Sequence, residues 1–171
     1  QVEYMKATGC TVIEFHTEKA YDENSLTDEI DRIVKKSVGL IGSGNDVLVY
    51  TSNTPESIQD TKRIGYIMGF DDEHIGRMIS SSMNRIVCSI IAGTGCRKII
   101  SAGGDTSAAL VNGMGIGKMI VLDEIEPGIP SMYGYDQDNE FLLVLKSGSF
   151  GSNNFLYKAV QRLKELQKGM I

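Results

Sequence analysis

Cysteine, proline and basic charge are all in short supply in this sequence, and each shortage excludes something. The three cysteines, Cys10, Cys88 and Cys96, are widely spaced, form no CxxC and have no histidine partners at ligand spacing. Neither a disulfide framework nor a zinc site is expected; the thiols read as small buried hydrophobes of a protein in reducing cytosol. Seventeen Lys and Arg stand against 22 Asp and Glu, a formal charge of −5. A general nucleic-acid surface needs a basic stripe, so that class is set aside. No apolar run approaches the roughly 18 residues of a membrane span. The longest candidate, residues 75–91, is interrupted by Arg77 and Arg85. No basic-then-apolar leader opens the chain, which points away from secretion. The first residue is Gln1 rather than Met, so a truncated or processed product is the expectation.

Apolar residues make up 42% of 171 positions, and a chain of this length buries about 70% of its unfolded surface. A single domain with a proper core follows, with no internal repeat and no low-complexity linker. Glycine is abundant: 19 residues, where average usage of about 7% would give about 12.

Hydrophobic periodicity sets out alternating elements. Residues 1–8 read as the tail of a helix stopped by Gly9, and residues 10–16 as a β-branched strand. A helix capped by Asn24 or Ser25 runs to about Lys36, and residues 46–50 form a buried strand. Thr54 before Pro55 starts the next helix. A long helix from Asp71 or Asp72 to about Ala92 follows, with one apolar stripe. Then come a strand at 98–101, a helix at 106–112, a strand at 118–122, a Pro/Gly loop through Pro127, Gly128 and Pro130, a strand at 141–145 and a helix at 154–167. Strands alternating with helices predict an α/β fold, a three-layer sandwich whose mainly parallel central sheet is flanked by helices.

Nine of the 19 glycines fall between Gly103 and Gly151, at the carboxyl ends of expected strands, where open α/β sheets bind ligands. In the first cluster a strand runs through Ser101 and Ala102 into Gly103 and Gly104, and a helix begins at once with Asp105, Thr106 and Ser107. Such a corner lets backbone approach a ligand and offers helix N–H groups to phosphate. It is also what a tight turn with its own cap looks like. In the second, an apolar strand ends in Lys146, Ser147, Gly148, Ser149, Phe150 and Gly151. A lysine there offers point charge, and the serines offer hydroxyls; the plainer alternative is a snorkelling lysine on a routine turn. Two such corners at equivalent strand ends favour a shared phosphate or nucleotide pocket. Neither GxxxxGK[ST] nor a GxGxxG placed after a strand is present. His16, His74 and the acidic run at Asp71, Asp72 and Glu73 read as structural or surface groups. Thr51, Ser52, Asn53 and Thr54 could touch a ligand but are explained by a capped turn.

Taken in order and spacing, ISAGGDTSAAL, EIEPGIPSMYG and LLVLKSGSFG resemble the C-terminal nucleotide-binding domain of the four-carbon acid sugar kinases. The resemblance covers most of the chain and is clearest between Arg97 and Val160. It implies that residues 1–171 are the nucleotide-binding part of a two-domain kinase whose N-terminal substrate domain is absent here. It implies ATP contacts at Gly103, Gly104 and Gly148, with Asp105, Thr106, Lys146, Ser147 and Gly151 as adjacent candidates. ATP and Mg²⁺ would be the cofactors. The partners would be the nucleotide and, through the missing domain, a four-carbon sugar acid, with no nucleic acid or membrane and with a homodimer left open. The acceptor site and any general base would belong to the missing domain. Ser149 stands where many relatives have Asn, and a serine-bearing motif of the family would precede Gln1. Three rival readings are a GGD-type kinase of the NAD kinase and phosphofructokinase kind, a non-catalytic nucleotide-binding module, and a domain whose glycine turns are purely structural.

Overall fold

The computed structural model describes residues 1–51 and 54–168; Ser52 and Asn53, in the hydroxyl-rich turn singled out above, lie outside the described residues. The chain divides into two compact units, one spanning Cys10–Thr94 and the other joining Gln1–Gly9 to Gly95–Ile171.

In the Cys10–Thr94 unit, β1 (Thr11–Phe15) pairs in parallel with β2 (Val47–Thr51), from Thr11 opposite Val47 to Phe15 opposite Thr51. A 3₁₀ turn at Thr17–Tyr21, too short to leave a periodic signature, leads into the helix that follows. Numbering helices along the whole chain, α1 is Val2–Ala7 of the other unit and α2 is Glu23–Gly42. Its cap is Asp22, whose carboxylate accepts a 2.8 Å bond from the Ser25 amide, rather than Asn24 or Ser25. It also runs past Lys36, because Leu40 and Ile41 still reach the core. The α3 helix (Pro55–Ile67) opens as expected, with Thr54 accepting from the Ser57 amide at 3.2 Å and proline in its first turn. The long stripe becomes α4 (Asp72–Thr94). The core gathers Ile13 and Phe15 of β1 with Leu26, Ile30 and Ile33 of α2 and Met83, Ile86 and Ile90 of α4.

The second unit holds α1, β3 (Lys98–Ala102), α5 (Gly104–Gly113), β4 (Lys118–Glu126), β5 (Ile129–Tyr135), β6 (Glu140–Lys146) and α6 (Phe155–Lys168). Its sheet has the order β3-β6-β5-β4. The α/β class and the flanking helices are as the alternation predicts. The sheet itself corrects the expectation of one mainly parallel array. Among the described residues the strands form two sheets, and in the larger one only β3–β6 is parallel, while β6–β5 and β5–β4 are antiparallel. The cause is β5, which the sequence hid behind Pro130 and Gly134. It forms a hairpin with β4 around Pro127 and Gly128, and hairpins are antiparallel by construction.

Alternation along β3 separates two helix layers in this unit. Ser101 bonds Ser107 of α5 at 3.0 Å. Lys98, of opposite parity, bonds Gln167 of α6 at 2.6 Å. The helices therefore lie on opposite faces, and α6 buries Phe155, Leu156, Ala159 and Leu163 against the sheet. Among the described residues no helix is long and apolar enough to cross a membrane.

Candidate functional site

β3 and β6 are separated in sequence by the β4–β5 hairpin, yet they are neighbours in the sheet and point the same way. Ala102 sits opposite Lys146 in the register. One residue on, the Gly103 amide donates to the Lys146 carbonyl at 2.9 Å. The two glycine corners thus lie side by side at the carboxyl edge of one parallel pair, the position at which such sheets hold ligands.

The first corner is built by Gly103. Its φ of 138° lies where side chains are disfavoured, and an added Cβ would come within 3.3 Å of Thr106 Oγ1. That conformation lets the strand turn into α5 without a spacer. The first intrahelical bond runs from the Ser107 amide to the Gly103 carbonyl at 2.8 Å, and no side chain caps the helix. The amides of Gly104, Asp105 and Thr106 precede that bond and form the positive end of the helix dipole. Gly104 and Asp105 are exposed and Thr106 half-buried, whereas Ser107 is turned inward onto Ser101.

The second corner is organised around Lys146, which is only 5% exposed. Sharing parity with Ala102, its side chain lies on the α6 face, with Nζ 5.9 Å from the centre of the Phe155 ring. It donates to the carbonyls of Ser147 at 2.9 Å and Gly148 at 3.0 Å. The lysine therefore braces its own loop, and burial pushes its ammonium below the usual lysine range. Ser147, Gly148, Ser149 and Phe150 are all exposed. Gly151, with φ 85°, lies against the Phe155 ring, where a Cβ would be 2.8 Å from Cγ. Gly151 thus has a packing reason of its own, whereas Gly148 has open space at its Cα.

Sequence reasoning missed three residues that hold this loop. The Gln1 side-chain amide shares its protons among the carbonyls of Phe150, Gly151 and Ser152 at 3.3, 3.2 and 3.1 Å. Glu126, at the end of β4, accepts from the Ser152 amide at 2.8 Å, from the Ser152 hydroxyl, and from Lys158 Nζ at 2.7 Å. The Lys158 ammonium, helped by both Ser152 donors, holds the Glu126 carboxyl at about 2. A lowered folded-state value means that these bonds stabilise above the ordinary glutamate value of 4.5 and are lost as pH falls toward 2. In an NMR acid titration the Ser152 amide shift is expected to stay flat through pH 4 and to break near pH 2. A midpoint at the ordinary glutamate value would contradict the contact.

The remaining candidates belong to the Cys10–Thr94 unit. His16 Nδ1 is 3.1 Å from the buried Glu29 carboxylate, which is also bonded by Arg32. His74 stacks on Phe70 at 4.4 Å. Among the described residues no group of three His, Cys, Asp or Glu gathers as for a metal ion.

The rim thus pairs an uncapped helix start with a loop braced by a buried lysine, and comparison with known proteins says which family such a chain resembles. The model of the family described as nucleotide-binding C-terminal domain matches residues 1–156. This chain belongs to that family, which is the C-terminal part of the four-carbon acid sugar kinases. It is 30% identical over 122 residues to a 3-oxo-tetronate kinase of Pseudomonas savastanoi pv. phaseolicola, covering 71% of this chain and 27% of the relative. To a 3-oxo-isoapionate kinase of Paraburkholderia graminis it is 23% identical over 151 residues, covering 82% and 32% respectively. The chain thus spans about a third or less of the curated relatives it matches. In fold it is similar to a crystal structure of a Haemophilus influenzae protein, with a TM-score of 0.73, 23% identity, and coverage of 94% of this chain and 36% of the other. A Bordetella bronchiseptica domain of unknown function, crystallised with citrate as a domain-swapped dimer, gives a TM-score of 0.67 at 16% identity, with coverage of 94% and 36%.

Proposed function

We propose that the paired corners bind the phosphates of ATP, and that the chain serves as the nucleotide half of a kinase acting on a hydroxyl of a four-carbon sugar acid. The observation that carries this reading is the 2.9 Å bond from the Gly103 amide to the Lys146 carbonyl, which makes one rim of two glycine loops. On this reading the amides of Gly104, Asp105 and Thr106 meet phosphate oxygens, as at other helix starts. Gly148 lets backbone close over the nucleotide, and Ser147 donates its hydroxyl. Lys146 supplies positive charge and shapes the loop, while Gly151 acts by keeping the loop folded. Mg²⁺ would arrive on the triphosphate, held mostly by phosphate oxygens and water, with Asp105 as the carboxylate at this rim. Phosphoryl transfer relies on positioning and charge stabilisation. The acceptor hydroxyl and its base would come from the rest of a longer protein, with a homodimer still part of the reading. The kinase names of the relatives support the reaction class.

Gly104 and Gly148 give the sharpest test. A Cβ at either position meets nothing within 4 Å, and neither has a positive φ. Gly104→Ala and Gly148→Ala should fold with melting temperatures within about 2 °C of the parent, because alanine costs nothing sterically there. Each methyl would stand where a phosphate has to approach, so calorimetric ATP affinity is expected to fall about tenfold or more. Titration of the parent with ATP, ADP and NAD at fixed Mg²⁺ completes the test. Preference for NAD, or ATP binding untouched by both substitutions, would overturn the reading.

A further inference from the structure

Gln1, Glu126 at the end of β4 and Lys158 of α6 converge on one short turn, and their chemistry differs from that of a ligand contact. Glu126 is 15% exposed in its side chain, and its oxygens are directed at Ser152 and Lys158 rather than at the rim. Ser152 Oγ lies 2.7 Å from Asn154 Oδ1, just before α6 begins at Phe155. The Phe155 amide in turn donates to the Ser152 carbonyl at 3.0 Å. On the other side of the turn stand the Gln1 amide and the three carbonyls it grips. The stretch between these two holds contains Phe150, which is 53% exposed and so gains little from packing. Among the described residues the one backbone bond internal to 147–151 is Phe150 N to Ser147 O, at 3.2 Å. Polar clamps at its margins, together with the lysine bonds inside, are what keep this loop in one shape.

We propose that Glu126 is a positioning residue for the nucleotide loop: by fixing Ser152 it sets where Gly148 stands relative to the Gly103 corner. The proposal rests on the nucleotide reading above and assigns the shape of the loop to a residue that does not itself touch the ligand. Charge-assisted hydrogen bonds are about twice as strong as neutral ones, and losing the carboxylate removes three of them at once, from the Ser152 amide, the Ser152 hydroxyl and the Lys158 ammonium. A displacement of about 1 Å in a loop that must meet phosphate is enough to change affinity by an order of magnitude or more.

Glu126→Ala, Glu126→Gln and the neighbouring Glu124→Ala, whose carboxylate bonds Gly128 in the hairpin turn instead, would be compared by amide hydrogen exchange and by ATP titration. For Glu126→Ala, exchange at Ser152 should quicken about 100-fold with the β5–β6 amides unchanged, and ATP should bind about tenfold more weakly. Glu126→Gln, which keeps an acceptor oxygen, should recover most of the affinity, and Glu124→Ala should bind as the parent does. Faster exchange spread over the whole sheet, with ATP affinity unaltered, would show a merely structural residue and overturn the proposal. A parent that binds no ATP, with exchange still raised at Ser152 alone, would overturn the nucleotide reading while supporting the clamp.

Discussion

Lys146→Met is expected to cost about 100-fold in ATP affinity, ~2.8 kcal/mol, while leaving the fold as stable as before or slightly more so. The two halves of this result have separate causes. Stability survives because the ammonium is 5% exposed and, among the described residues, joined to no carboxylate. Its partners are two carbonyls on exposed residues, which water can serve once the lysine is gone. Methionine fills the same channel over Phe155 without the desolvation that depresses the lysine. Affinity suffers because a unit charge about 4 Å from a phosphate oxygen contributes up to about 4 kcal/mol near a protein surface, and because the loop loses its internal brace. Calorimetric titration beside thermal melts reads both halves. An affinity equal to the parent would make Lys146 a brace only and would move the anion site to the α5 corner alone.

Gly151→Ala should show the largest loss of stability. The backbone there has φ 85°, and the new Cβ would stand 2.8 Å from Phe155 Cγ and 2.9 Å from its Cβ. The left-handed conformation costs about 1–2 kcal/mol, and the clash with a fully buried ring adds about 1–3 kcal/mol. A loss of about 2–5 kcal/mol follows, seen as an earlier urea midpoint for the unit that carries α6. Gly148→Ala, three positions earlier in the same loop, is the matched control with no such loss. Equal midpoints for the two variants would refute the packing account of Gly151.

The contrast between those two glycines shows what the sequence could and could not convey. Both read alike as members of a glycine loop, and only the approach of Phe155 tells them apart. The corners themselves were legible because each carries its own local grammar: an apolar strand, then glycine, then either helix caps or a lysine. Their adjacency was an inference from two similar strand ends, and the β3–β6 register bears it out. The sheet's order was not legible. Alternation of strands and helices says nothing about partners, and β5 carries a proline and a glycine that mimic a loop. Its burial, with Ile129, Ser131, Met132 and Gly134 inside, comes from neighbours on both sides. Glu126 left a trace only as part of a motif, since a carboxylate before Pro127 and Gly128 gives no hint that residue 152 is its partner. Lys146 read as a strand-end lysine offering charge to a phosphate or, more plainly, reaching for water. Its parity with Ala102 turns it under α6 instead.

The order β3-β6-β5-β4 also sets the length of chain that must close to form the rim. β4 and β5 can zip across a tight turn, and β6 can add next to them, each by closing a short length of chain. β3 has no strand partner but β6 among the described residues, and joining the two closes a longer stretch of chain than either hairpin does. The rim where the two glycine corners meet is consequently the long-range contact of this sheet. On the reading proposed above, a nucleotide bridging the two corners would act as a latch on the paired strands, slowing their opening rather than speeding the early, local stages of folding.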